Sequence, residues 1–191
     1  MRLIFVGLVV QGLLLTTYSQ ADAQPTREHR GFWISAGLGA AATFSDPLYD
    51  EQGKSAEFGP SLSVRLGGTL NQRLLLGGEI AAWNAGGSIY RGHTAFTVLF
   101  YPSHEGGAFV RGVVGYATRW VEHTVIFVED LELRALNVEE TRSGPGLCAG
   151  LGYDVRLARN FYLTPGVDAG GQYLADHWAP SLILTLGATW H

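Results

Sequence analysis

The feature that most constrains the fold is a period-two alternation of apolar with small or polar residues, repeated along most of the chain. In the segment 147–157, one face carries Leu147, Ala149, Leu151, Tyr153, Val155 and Leu157, and the other carries Cys148, Gly150, Gly152, Asp154 and Arg156. The final segment repeats the pattern, with Leu182, Leu184, Leu186, Ala188 and Trp190 on one face. Because successive side chains of a β-strand point to opposite faces, the alternation predicts strands.

Eight such segments are predicted, at 31–44, 58–69, 74–84, 92–102, 108–121, 144–157, 161–173 and 179–190. Short links at 71–73, 102–107 and 159–160 alternate with longer ones, of which 45–57 and 122–143 are the longest. This layout is typical of an all-β, eight-stranded antiparallel up-and-down transmembrane β-barrel with long loops at one end. Closure is required because an open sheet edge in lipid leaves backbone groups unpaired.

The alternation alone leaves open which face points inward, since a soluble periplasmic barrel places its apolar face inside. Only 16% of the residues are charged, against about 25% in a typical soluble domain. The polar faces consist mostly of Gly, Ser, Thr and Ala, which fit the narrow interior of an eight-stranded barrel. We therefore predict that apolar side chains point outward to lipid and that small and ionic ones fill the interior.

The few charges within the strands fall on candidate inward positions. They are Arg65, Glu79, Arg111, Arg119, Asp154, Arg156 and Asp168. An Arg on the lipid face would cost roughly 2–4 kcal/mol at the bilayer midplane, whereas inside the barrel these groups can pair with one another. They predict an ion-pair network and a plugged polar lumen. The alternative is that they are scattered at strand ends and rims.

Aromatic residues cluster near the ends of the predicted strands and predict girdles at the two membrane interfaces. The set comprises Phe32, Trp33, Phe44, Trp83, Phe100, Tyr101, Trp120, Phe161, Tyr162, Tyr173, Trp178 and Trp190. The alternative is the general abundance of aromatic residues in strands.

The first 23 residues are typical of a cleaved secretory signal. Arg2 precedes the apolar run 3–15, and Ala21-Asp22-Ala23 forms a small-x-small cleavage site. An uncleaved membrane anchor is the alternative, although the run is shorter than the ~20 residues of a spanning helix. We divide the chain into a signal peptide (1–23), a short N-terminal lead (24–30) and an outer-membrane barrel domain (31–191), located in a Gram-negative-type cell envelope.

With these features, the chain resembles the small outer-membrane barrel superfamily of OmpA/OmpX-type proteins over essentially its whole mature length. Besides the signal, the resemblance rests on Gly31-Phe32-Trp33-Ile34-Ser35-Ala36-Gly37-Leu38-Gly39, on Gly150-Leu151-Gly152-Tyr153-Asp154 and on the last strand, 182–190. It implies the fold and the outer-membrane location, but no reaction, because members are structural, adhesive, resistance or enzymatic proteins. In that family the last residue is usually an aromatic recognised by the barrel-insertion machinery. Here Trp190 is penultimate and His191 is last.

The sequence contains no motif typical of catalysis or metal binding, so we expect neither an enzyme nor a cofactor. The single Cys148 excludes a disulfide framework within the chain, and we predict that it is a buried structural thiol. Some barrels similar to this one modify lipid A, which requires a nucleophile activated by His. Candidates for that alternative are Ser88, His93, Ser103, His104, Glu105, Asp176 and His177, and we interpret the histidines as solvated loop residues. A narrow channel is a further alternative.

The two longest links are acidic, with net charges of −3 for 45–57 and −4 for 122–143. The second contains Val125-Ile126-Phe127-Val128 and Leu131-Glu132-Leu133, which could extend the strands as a hairpin. An exposed strand edge can bind an extracellular partner by edge pairing. Alternatively, the acidic links are simply solvated, or they bridge to lipopolysaccharide through divalent cations. The expected partners are thus outer-membrane lipid, lipopolysaccharide and the insertion machinery. No basic run supports nucleic-acid binding.

Overall fold

The computed structural model describes residues 31–44, 56–84, 88–103, 106–129, 132–174 and 177–191. The segments 122–129 and 132–138 are described by their backbone alone. The predicted signal peptide and N-terminal lead lie outside the described residues, and so does most of the first long link, 45–55. No helix among the described residues is long and apolar enough to cross a membrane.

The described residues form nine strands, two of which are parts of one barrel strand. They are β1 (Phe32–Thr43), β2 (Glu57–Asn71), β3 (Leu74–Asn84), β4 (Ile89–Phe100), β5 (Ala108–Glu129), β6 (Glu132–Tyr153), β7 (Val155–Ala158), β8 (Phe161–Leu174) and β9 (His177–Trp190). β6 and β7 are separated only by Asp154, and both pair with β8. The barrel wall therefore has eight strands, as the alternation predicts.

The sheet closes on itself through its first and last strands. Leu38 of β1 is paired with Leu62 of β2 on one side and with Leu186 of β9 on the other. Every pairing is antiparallel, and strands that follow one another in the barrel wall are neighbours. The eight-stranded, up-and-down antiparallel barrel is confirmed.

The two faces of the wall differ as predicted from composition. Leu38 is 68% exposed on the outer face, whereas Ser35 and Ser63 are buried on the inner face. Small inward side chains such as these suit an eight-stranded barrel, which leaves little internal space. The opposite orientation, with the apolar face inside, does not occur in the strands whose side chains are described.

The girdle prediction is wrong for four of the aromatic residues. Trp33, Trp83, Tyr101 and Tyr162 are buried inside the barrel, whereas Phe32, Phe44, Phe100, Trp120, Phe161, Tyr173, Trp178 and Trp190 are exposed. The physical reason is the two-residue period of a strand, which turns adjacent residues such as Phe32 and Trp33 to opposite faces. In a run of two aromatics, one ring faces outward and the other fills the barrel.

The second long link is a β-hairpin rather than an irregular loop. β5 and β6 each contain 22 residues, and their register continues from Ala108↔Tyr153 to Glu129↔Glu132. The predicted strands, which end at 121 and begin at 144, are therefore too short. The prediction that the strands continue as a hairpin is confirmed for the backbone of 122–129 and 132–143. Since β4 begins at Ile89, opposite Val121, the hairpin extends beyond the rest of the wall.

Candidate functional site

The middle of the barrel interior is occupied by a buried ionic cluster. Its members are Arg65 on β2, Glu79 on β3, Arg111 on β5 and Asp168 on β8, each at most 7% exposed. Arg65 Nε donates to Glu79 Oε2 at 2.9 Å, and Arg111 Nε donates to Asp168 Oδ1 at 2.9 Å. Arg111 also forms an ion pair with Glu79. Two cations and two carboxylates thus balance one another, as buried charges require.

The cluster depends on a glycine that lies between two of its members. Gly150 on β6 is opposite Arg111 of β5 on one side and Asp168 of β8 on the other. A Cβ at this position would lie 1.8 Å from Asp168 Oδ1. Because Gly150 has no side chain, Arg111 and Asp168 can meet across the intervening strand.

His93 of β4 belongs to the same cluster, although the sequence prediction did not include it. Its Nε2 lies 3.0 Å from Glu79 Oε1, and its ring makes an edge contact with Trp83 at a centroid distance of 5.8 Å. His93 is therefore a lumen residue, and its interpretation as a solvated loop histidine is wrong. Its place on the inward face of β4, two residues from Arg91, could have indicated this.

Two further buried arginines lie on neighbouring strands beyond the cluster, toward the hairpin end. Arg91 of β4 and Arg119 of β5 are opposite each other in register, and each is 1% exposed. Arg91 Nη1 donates to Gln172 Oε1 at 3.2 Å, and Gln172 Nε2 donates to the carbonyl of Gly92 at 3.1 Å. The sequence predicts that Arg119 faces the lumen, but it leaves Arg91 outside the predicted β4, which begins at residue 92.

Asp154 forms a separate hydrogen-bonded group at the tight-turn end. Tyr101 Oη donates to Asp154 Oδ2 at 2.8 Å, and Thr164 Oγ1 donates to Asp154 Oδ1 at 2.6 Å. The terminal His191 is also buried there, with Nε2 3.7 Å from Asp154 Oδ2. Asp154, which separates β6 from β7, is thus held against Thr164 of β8 and lies near His191.

Arg156 lies at the β7–β8 turn rather than in the ionic cluster. Its Nε donates to the carbonyl of Ala158 at 3.2 Å, and its Nη2 donates to the carbonyl of Arg159 at 3.0 Å. Of the seven charged residues predicted for the lumen, the structure thus brings Arg65, Glu79, Arg111 and Asp168 together in one cluster. Asp154 is placed in a second group and Arg156 at the rim.

Apolar layers lie inside the barrel with the ionic cluster. Trp33, Leu75, Leu99, Tyr101 and Phe109 form one buried group, and Ala41, Trp83 and Ile183 form another. The cavity beside Arg65 and Glu79 has a volume of about 10 Å³, and a single water needs roughly 10–15 Å³. The cavity beside Arg65 and Glu79 is therefore about the size of one water molecule.

The described candidate catalytic residues lie on several parts of the wall, and His177 begins β9. Ser88 precedes β4 and Ser103 follows it, at opposite ends of the strand, whereas His93 is inside the barrel. His104, Glu105 and Asp176 lie outside the described residues. No group of three or more His, Cys, Asp or Glu residues suited to a metal occurs in the part of the chain that the structure describes. Cys148 is buried and free, as predicted.

Comparison with known proteins identifies the architecture. Ail, the attachment invasion locus protein of Yersinia pestis, superposes with a TM-score of 0.55 at 15% identity, over 84% of this chain and 99% of Ail. The fold is that of the small eight-stranded outer-membrane barrels. Neisserial surface protein A gives a TM-score of 0.54 at 12% identity, covering 84% of this chain and 96% of its own. Ail in complex with the heparin analogue sucrose octasulfate gives 0.52 at 14% identity, with coverages of 84% and 99%. No family model and no curated protein sequence matches the chain.

Proposed function

We propose that this chain is a non-enzymatic outer-membrane barrel with a closed lumen, which presents the β5–β6 hairpin to a partner at the cell surface. The observation that carries the proposal is the buried ionic cluster, in which Arg65, Glu79, Arg111 and Asp168 from four strands of the wall form ion pairs. Buried ion pairs at the centre of the barrel favour a role at the external surface over conduction of a solute.

The outer face supports insertion into a membrane. Large apolar side chains are exposed on all sides of the wall, including Leu66 on β2, Ile80 on β3, Phe96 on β4, Val114 on β5 and Leu184 on β9. Soluble monomers rarely expose contiguous apolar patches larger than a few hundred Å². The resemblance to solved outer-membrane barrels agrees with this environment.

The hairpin supports a role in surface binding. Residues 122–129 and 132–139 extend beyond the start of β4, which corresponds to roughly 25 Å at about 3.4 Å per residue. In the described structure, the backbone of 122–129 pairs with β6 alone. An edge of this kind can add a strand from another protein. The complex of Ail with a heparin analogue shows that a barrel of similar fold binds an external ligand.

Planar-bilayer recording tests the closed lumen. We expect no large, steady single-channel conductance from the purified barrel. Such a conductance, abolished by an antibody against the hairpin or by heat denaturation, would contradict a closed interior.

A hairpin deletion tests the surface role. Replacing 125–137 with a short turn should leave the heat-modifiable gel shift of the barrel intact and remove binding of expressing cells to host or bacterial surfaces. The matched control keeps the length of the wild-type chain and carries residues 125–137 in scrambled order. Unchanged binding by the deletion variant would exclude the hairpin as the contact.

Mass spectrometry of lipid A tests the absence of enzymatic activity. We expect identical acyl chains and headgroups with and without expression of the chain. A change that is lost in a His93→Ala variant would instead support a lipid-modifying enzyme.

A further inference from the structure

A recess of about 230 Å³ lies on the outer face of the wall at the foot of the hairpin. Tyr90 of β4 and Trp120 of β5, which are opposite each other in register, contribute two partly exposed rings. Glu139 and Thr141 of β6 contribute polar groups on the same outer face. Val121 of β5 and Glu140 of β6 complete the lining.

The aromatic wall of the recess is held in place by a glycine. Gly92 lies two residues after Tyr90 on β4. A Cβ at Gly92 would lie 3.2 and 3.3 Å from two ring carbons of Trp120. The indole therefore lies directly over the bare backbone of Gly92. Its position is set by packing before any ligand arrives, and this lowers the entropic cost of binding.

The polar side of the recess has a net negative charge. Glu140 forms an ion pair with Arg142, which neutralises it. Glu139 is exposed and has no salt bridge among the described side chains. The exposed carboxylate of Glu139 thus gives the recess a negative group that a bound cation would neutralise.

We propose that this recess binds an organic ammonium group, with the cation between the face of Trp120 and the carboxylate of Glu139. Aromatic rings attract ammonium cations through their π-faces, and a carboxylate adds direct charge complementarity. A divalent metal fits less well, because Ca²⁺ requires six to eight oxygen ligands and the recess is far larger than one ion. The ammonium group can belong to a lipid headgroup or to a soluble amine.

Titration with choline tests the site in detergent micelles, so it does not depend on the proposed membrane location or hairpin partner. The uncharged isostere 3,3-dimethylbutan-1-ol is the control ligand of the same shape. Glucose and CaCl₂ represent two other classes of ligand, sugars and divalent cations. Calorimetry should show choline binding to the wild type, and binding of the isostere should be about tenfold weaker. Equal binding of choline and the isostere, binding of glucose or Ca²⁺ in place of choline, or no binding at all would overturn the proposal.

Variants locate the binding. We expect Glu139→Gln and Trp120→Leu each to weaken choline binding by about fivefold or more. Trp178→Leu, which removes an exposed ring of similar exposure on β9, should leave it unchanged. Gly92→Ala provides a second variant that keeps both groups. Its Cβ would press on the indole and would also meet the carbonyl oxygen of Ala81 at 2.9 Å, so it should weaken binding as well. The gel shift verifies folding, and unaltered affinity in folded Glu139→Gln and Gly92→Ala would refute the site.

Nanodiscs distinguish the two sources of the ammonium group. If a lipid headgroup occupies the recess, added choline should bind more weakly in phosphatidylcholine than in phosphatidylglycerol discs. Equal binding in the two would assign the recess to a soluble amine. This comparison is made after choline binding has been measured in micelles.

Discussion

Arg111 and Asp168 form an ion pair across an intervening strand, because Gly150 leaves the space between them empty. The two residues are distant in sequence and lie on β5 and β8. Their contact joins strands that are not hydrogen-bonded to each other. The interior is therefore held together across the barrel as well as along the sheet.

The glycine at position 150 should be more sensitive to substitution than Gly112, which faces outward. We expect Gly150→Ala to destabilise the barrel by about 1–3 kcal/mol, because the added methyl group overlaps Asp168. Urea unfolding in lipid vesicles measures the change. Gly112→Ala on the outer face is the control, since its Cβ would meet no atom within 4 Å. Equal effects of the two substitutions would contradict the packing argument.

Substitutions of Arg111 and Asp168 should have non-additive effects on the free energy of unfolding. Arg111→Met leaves Glu79 and Asp168 with fewer counter-charges, and we expect a loss of about 3–5 kcal/mol. The double variant Arg111→Met/Asp168→Asn should lose less than the sum of its single variants, because they share one interaction. Arg156→Gln at the turn should change the unfolding free energy by less than about 1 kcal/mol. Strict additivity would indicate that Arg111 and Asp168 do not interact.

Tryptophan fluorescence can verify which aromatic rings face lipid. In single-tryptophan variants reconstituted in brominated lipid, we expect stronger quenching of Trp120, Trp178 and Trp190, which are 42–46% exposed. Trp33 and Trp83, at 1% and 3% exposed, should be shielded by the wall. Strong quenching of Trp33 would mean that the inner and outer faces of β1 are reversed.

The Asp154 group should stabilise the tight-turn end. Asp154→Ala removes the acceptor for the Tyr101 and Thr164 hydroxyls, and we expect a loss of about 2–4 kcal/mol, since bonds to a charged group contribute roughly 1.5–3 kcal/mol. Tyr101→Phe removes one of these bonds and keeps the ring, so it should cost about half as much. Hydrogen exchange at β7 and at the start of β8 should rise in Asp154→Ala. Unchanged exchange there would show that the carboxylate does not hold the two strands together.

Several sequence inferences relied on local pattern and agree with the structure. The alternation around Leu151 and around Leu184 predicts strands and the correct outward face, because strand period and side-chain direction are properties of a few consecutive residues. In pairs of adjacent aromatic residues such as Phe100 and Tyr101, the same alternation also predicts which ring faces outward and which faces inward. The extent of the hairpin was underestimated because a polar stretch such as 137–143 has no apolar face to mark it as a strand.

The sequence by itself determined the strand number, the antiparallel order and the orientation of the faces, since these follow from local periodicity and from the shortage of charge. Only the tertiary structure decided which charges meet. Arg111 finds Glu79 and Asp168, Asp154 finds Tyr101 and Thr164, and His93 joins the first group. The physical reason is that closure, register and the gap at Gly150 set distances across the barrel, and no short stretch of sequence contains that information.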